Sequence, residues 1–234
     1  MQEAAAEAED PGGIPTPPGV WEEAELQPVP ARPLPKPEIA EAYVIEKLWP
    51  LFAAAGFSAQ NITEVRLLSP DPIVWVGLSG MLLPPPVQNC REEFSYTGIH
   101  GCPAGALYGI LRDRCLRSRQ PPDGWGLLFF QAAQSPRGER LRELVLKCFK
   151  TNFARQGLAV RGRYTGHERV LVPGNGHEEE ARCSSRGYLT RYGPATRWTF
   201  PEAYTLVEGI YVHLEKSRQH DYTHELAMVL AYGH

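Results

Sequence analysis

The stretch Phe94-Ser-Tyr-Thr-Gly-Ile-His-Gly-Cys-Pro-Ala-Gly-Ala-Leu-Tyr-Gly-Ile-Leu-Arg112 constrains this chain more than any other. An extended apolar run ends in His100-Gly101, and Leu107, Ile110 and Leu111 then recur at helical spacing. Pro103 falls at the first helical turn, where its missing N–H costs nothing. The pattern predicts a strand running into His100 and a helix from about residue 103 to residue 116. A histidine at the mouth of a strand, followed by a glycine where a ligand can approach the backbone, reads as a nucleotide pocket.

What precedes this stretch is of a different kind. Residues 1–37 hold nine of the 22 prolines and carry seven acidic against two basic side chains. Such a segment buries too little apolar surface to offset its ordering entropy. It is predicted to be a disordered, acidic, proline-rich tail, extended as polyproline II near Pro28 to Pro37, and an opening of this kind suggests a fragment of a longer polypeptide. Residues 38–234 carry 20 acids and 22 bases, so charge gives no mandate for nucleic-acid binding. No window approaches the roughly 18 uncharged apolar residues of a membrane span. The N-terminus lacks the basic and apolar regions of a signal peptide, so the expected location is intracellular, cytoplasmic or nuclear. Five scattered cysteines without a CxxC pair argue for free thiols, against a disulfide framework and against a cysteine zinc site. Cys102 lies close enough to His100 to invite a thiol nucleophile, but a small buried residue near a helix start is the favoured reading.

Ordered structure is expected from Glu38. Ile39, Ala42, Tyr43, Glu46, Leu48 and Phe52 outline an amphipathic helix disturbed by Pro50 and closed at Gly56. Strands are predicted at Ile62–Leu68 and Ile73–Leu78, separated by Ser-Pro-Asp-Pro, and Pro84-Pro85-Pro86 forms a loop. A strand across Gly124–Ser135 leads into a charged helix from Pro136 to about Asn152, with Leu141, Leu144, Val145, Cys148 and Phe149 on one face. Strand-like runs follow at Leu158–Tyr164, Arg169–Val172, Ala181–Leu189, Arg197–Phe200 and Leu206–Leu214, with a mobile loop at Pro173–Glu180. The fold class is α+β: residues 38–93 contribute the first helix and strands, and residues 94–234 the core.

The order of these elements resembles the ADP-ribosyltransferase fold, most closely its diphtheria-toxin-like, or PARP-like, branch and the related RNA 2′-phosphotransferases. The likeness covers about residues 94–214. It rests on His100-Gly101, the following Gly-Ile-Leu-Arg-x-x-x-Leu helix, and Gly124-x-Gly-Leu-Leu-Phe-Phe130 before a second helix. It implies a split mixed β-sheet flanked by helices and NAD as a substrate. His100 would hydrogen-bond the adenosine-side ribose, a role suited to neutral imidazole, which donates and accepts at once. Gly101 would offer its backbone to the nicotinamide amide. Phe129 would stand where the family has a stacking tyrosine, and Ser135 is either a helix cap or a group facing the ligand.

The late strand departs from the family. A catalytic glutamate is expected at the start of Arg197–Phe200, and the sequence offers Ala195, Thr196 and Arg197 there, with Glu202 past a proline. Cleaving the nicotinamide–ribose bond passes through an oxocarbenium-like state that a carboxylate stabilises and an arginine opposes. The implied function is a glycosyltransferase domain that either transfers single ADP-ribose units to an unknown protein or nucleic-acid acceptor, or is a degenerate pseudoenzyme binding NAD without turnover. Arg197 and Glu202 are its candidate catalytic positions; Glu168 and Glu208 are further carboxylates that spacing cannot separate from Glu202. An RNA 2′-phosphotransferase-like enzyme would instead use arginines against phosphate, with Arg112, Arg161 and Arg197 as candidates. The alternative from another class is a non-catalytic interaction module, with His100 serving structure alone.

Other constellations are weaker. His220-Asp221-x-x-His224 has helix-face metal spacing but reads as a solvated terminal segment, so no metal is expected. Ser184, Ser185 and Thr190 lack a nucleophile-elbow setting, and Gly174-Asn-Gly176 reads as a hairpin or loop turn.

Overall fold

A computed structural model describes residues 36–83, 94–116, 127–134, 137–166, 173–175, 189–192, 195–200 and 205–233. The tail expected over residues 1–37 lies outside them up to residue 35, as does the Pro84–Pro86 loop.

Helix α1 (Pro37–Ala54) starts with proline in its first turn and buries Ala40, Val44, Leu48, Leu51 and Phe52. The spacing is that of one helical face. Pro50 lies inside the helix without ending it. Its lost hydrogen bond is outweighed by Leu48, Leu51 and Phe52 around it, all fully buried. Strands β1 (Ile62–Leu67) and β2 (Ile73–Leu78) pair antiparallel across the Ser69–Pro70 turn. Every residue of β2 is buried, as expected for a strand covered on both faces. After β3 (Phe94–Gly101), Pro103 takes the cap position of α2 (Ala104–Asp113), one residue outside the helix. Arg114 closes α2 in the left-handed region, at φ 60°. Its guanidinium lies 3.6 Å over the Phe57 ring and donates to the Gly56 carbonyl at 3.0 Å, fastening α2 to the end of α1.

Strand β4 (Leu127–Gln134) precedes α3 (Glu139–Phe149), whose buried residues Leu144, Val145, Cys148 and Phe149 are those expected of its apolar face. A 3₁₀ turn, η2 (Asn152–Ala154), leads to β5 (Leu158–Gly166). Then come β6 (Pro173–Asn175), β7 (Leu189–Tyr192), β8 (Ala195–Phe200) and β9 (Thr205–His213). The expected loop at Pro173–Glu180 is corrected over its first three residues. Pro173, Gly174 and Asn175 form β6 and run parallel to β7, and Gly176 with the rest of the expected loop lies outside the described residues. The chain ends in α4 (Leu214–Ser217) and α5 (Tyr222–Tyr232). The terminal segment expected there is solvated over most of its length and forms helix α5. The Asp221 side chain caps α5 by accepting from Thr223 N and His224 N, and Tyr222 and Leu226 are buried.

The strands form one sheet in the order β1-β2-β9-β5-β3-β4-β8-β7-β6. All neighbours pair antiparallel except β6 and β7. β3 pairs with β5 along its whole length and with β4 from Tyr96 to Ile99. Helices cover both faces. Residues of α1, α2 and α5 pack with Val74, Val76, Leu158, Val160, Ile210 and Val212 on one face. On the other, α3 packs with Ile73, Trp75, Ile99, Ala159 and Tyr211. The architecture is α+β, an antiparallel-dominated sheet with helices on its two faces. Among the described residues no helix is long and apolar enough to cross a membrane.

Candidate functional site

The His-Gly motif ends β3 beyond the last residue that pairs with β4. The β3–β4 ladder runs from Tyr96↔Gln134 through Thr97↔Ala133 to Ile99↔Phe130, with a register shift between the last two pairs. β3 continues to Gly101, paired with β5 at His100↔Val160 and Gly101↔Ala159. β4 begins at Leu127, paired with β8 at Leu127↔Phe200 and Phe129↔Trp198. Counting outward from Ile99↔Phe130, His100 and Phe129 are therefore the next positions on two strands whose mutual pairing has ended.

The half-buried His100 shares a register position with Val160, which packs into the core beneath α1, α2 and α5. Directly opposite residues of an antiparallel pair share a face, so His100 faces the α2 side and Ile99 the α3 side. Gly101 has a local reason to be glycine. A Cβ there would meet Ala154 N at 2.8 Å and Ala154 Cβ at 2.9 Å, so η2 fills the space a side chain would need. The glycine admits another segment of the chain rather than leaving a vacant cradle.

The start of α2 is held from behind. Gln156 is 2% exposed, and its side-chain carbonyl accepts from Ala104 N at 2.7 Å. Its amide nitrogen donates to the Glu225 carboxylate, and its backbone carbonyl accepts from Tyr222 Oη at 2.6 Å. Cys102, between His100 and α2, is 1% exposed, and burial pushes its thiol far above the ordinary range. That is an inert packing group, not an activated nucleophile.

The remaining positions divide. Arg197 pairs with Phe130 in β8, which extends the register row Arg161–Ile99–Phe130–Arg197 across four strands. Ser135, Glu202 and Glu168 lie outside the described residues. Glu208 is the extra residue of a bulge in β9 and forms ion pairs with Arg161 at 2.8 Å and Arg163 at 3.2 Å. Arg161 shares the register row of Ile99, so this carboxylate belongs to the α3 side, away from His100. Arg112 is exposed and ion-paired to Asp113 at 2.8 Å. Among the described residues no group of three metal-ligating side chains assembles, and Asp221 of the His220–His224 motif is engaged as a helix cap.

Sequence reasoning missed Gln156 and the Arg161–Glu208 pair, whose partners lie far along the chain. It also missed a cleft beneath α3. A signal for the last existed in Gly77 and Gly209, glycines inside strands where a neighbour comes close. Comparison with protein-family models, curated proteins and solved structures finds no match for this chain.

Proposed function

We propose that this chain is an ADP-ribosyltransferase-like domain that takes NAD between the ends of β3 and β4. The observation that carries the reading is the end of the β3–β4 ladder at Ile99↔Phe130, with His100 and Phe129 next on the two strands. In this reading His100 grips a ribose hydroxyl, the backbone around Gly101 meets the nicotinamide amide, and Phe129 supplies an aromatic surface. The cap position of α3 is taken by Gly138 and not by Ser135, which lies outside the described residues. Arg197 stands where a carboxylate would stabilise the cationic transition state, but in the register row of Ile99 and not that of His100, and Glu202 is the nearest acid in sequence. The activity is therefore transfer of a single ADP-ribose with help from the acceptor, or binding without turnover.

Thermal unfolding of the whole chain, titrated with NAD and with ADP-ribose, tests this. A ligand at 100 times its Kd stabilises by about 2.7 kcal/mol. The expected result is a dose-dependent rise in melting temperature that His100→Ala abolishes while leaving the unliganded melting temperature unchanged. No rise at millimolar ligand rejects the reading.

A second reading has its own observation. Gly101 is explained by its contact with Ala154 alone, so the His-Gly motif is also compatible with a non-catalytic interaction module in which His100 is architectural. In that case His100→Ala lowers the unliganded melting temperature and NAD has no effect on either protein.

A further inference from the structure

On the face of the sheet opposite His100, β1, β2, β5 and β9 enclose with α3 a cleft of about 530 Å³. This is within the roughly 300–1,000 Å³ of small-molecule sites. The strand-end reading leaves it unused.

Its aromatic floor is built into the sheet. Trp75 and Tyr211 lie with ring centroids 4.7 Å apart. Gly77 and Gly209 are register partners on β2 and β9, and a Cβ on Gly209 would run into the Trp75 ring. Gly209 thus lets the indole lie against the sheet, and its N–H is satisfied by Glu64 at 3.1 Å.

The charges are arranged around that floor. Arg161 stands with its guanidinium 5.6 Å from the Trp75 ring centre, anchored by Glu208 of the β9 bulge. At the mouth, Arg142 of α3 reaches Asp71 with two hydrogen bonds of 2.6 and 3.0 Å, bridging α3 to the β1–β2 turn. Arg66 lines the same side. Each of the three lining arginines holds an acid, Arg66 with Glu64, Arg142 with Asp71 and Arg161 with Glu208, and of these acids Asp71 alone lines the cleft. A guanidinium fork matches carboxylate and phosphate oxygens two at a time, so an anion would compete with Asp71 for Arg142.

We propose that this cleft binds a planar organic anion of mononucleotide size, its ring system over Trp75 and Tyr211 and its anionic group on Arg161 and Arg142. The site is separate from the proposed NAD site and does not depend on it.

Calorimetric titration of the whole chain with AMP, adenosine and inorganic phosphate provides the test. AMP is expected to bind at one site, with adenosine and phosphate each weaker by about tenfold or more, since both halves contribute. Arg161→Gln and Leu141→Trp should each weaken AMP by about tenfold or more, and His100→Ala should leave it unchanged. Leu141→Trp fills the cleft from α3 without touching an ion pair, so it decides the matter should Arg161→Gln fail to fold. Undetectable AMP binding at millimolar concentration overturns the proposal. So does AMP affinity that survives the cleft variants, or adenosine binding as tightly as AMP. Loss of AMP binding in His100→Ala assigns the ligand to the strand ends and overturns the cleft site alone. The NAD titration is read independently, so either reading can fail without the other.

Discussion

The side-chain carbonyl of Gln156 accepts the backbone N–H of Ala104 at 2.7 Å, joining residues 52 positions apart at the first turn of α2. Helix starts leave N–H groups without intrahelical partners, and no side chain of the local sequence caps this one. Gln156 therefore satisfies the start of α2 from the β5 side, and through Glu225 and Tyr222 it ties the His100–Ala104 corner to the C-terminal helix.

Gln156→Leu should accordingly destabilise the fold by about 1–3 kcal/mol, the cost of leaving buried polar partners unsatisfied. Urea unfolding measures it, and hydrogen exchange at the Ala104 amide should quicken with it. Wild-type stability in the variant would show that water replaces the amide without loss.

Gly101→Ala tests packing at the motif without any ligand. The added methyl meets Ala154 N and Cβ at 2.8 and 2.9 Å, and overpacking of this kind costs about 1–3 kcal/mol. Ala154→Gly removes the Cβ clash but leaves the backbone nitrogen, so the double variant should recover only some of the loss. Full stability in the single variant would show that η2 moves aside freely.

His213 gives the fold a defined acid sensitivity. Its ring stands edge-on to Phe149 with centroids 5.3 Å apart, and Nδ1 is buried without a hydrogen-bond partner among the described residues. Burial lowers its pKa from the ordinary 6.5; Glu215 and Asp71 pull it upward, and Lys216 pushes it further down. With a folded pKa below the unfolded one, its contribution is complete above about pH 6.5 and is lost as pH falls through the folded value. The melting temperature should drop more steeply with acid in the wild type than in His213→Gln. Parallel pH profiles would remove His213 as the cause.

Cys102 and Cys148 should be unreactive in the native state. Burial is the first cause in both, raising the Cys102 thiol beyond the ordinary range and the Cys148 thiol to about 12. In a Cys90→Ser, Cys183→Ser background, a thiol reagent at pH 8 should modify the partly exposed Cys115 first and the other two only on unfolding. Fast native labelling of Cys102 would restore the nucleophile reading that its burial argues against.

Much of the secondary structure is written in local periodicity. β1 and β2 fall at the predicted residues to within one position, and α3 buries the face its sequence displays, because side-chain alternation and the helical repeat need only neighbouring residues. Pro50 shows the limit: its local penalty is legible, but the three buried side chains that override it are not. The same holds for the functional candidates. The His100-Gly101 motif could be read directly from the chain. That the β3–β4 ladder ends just before His100, that Gly101 yields its space to Ala154, and that Glu208 turns toward Arg161 were decided by strand register alone. Register depends on pairings between residues tens of positions apart, and no local pattern encodes them. Local pattern settles which segments become strands and helices; which of their residues meet is settled only when the sheet assembles.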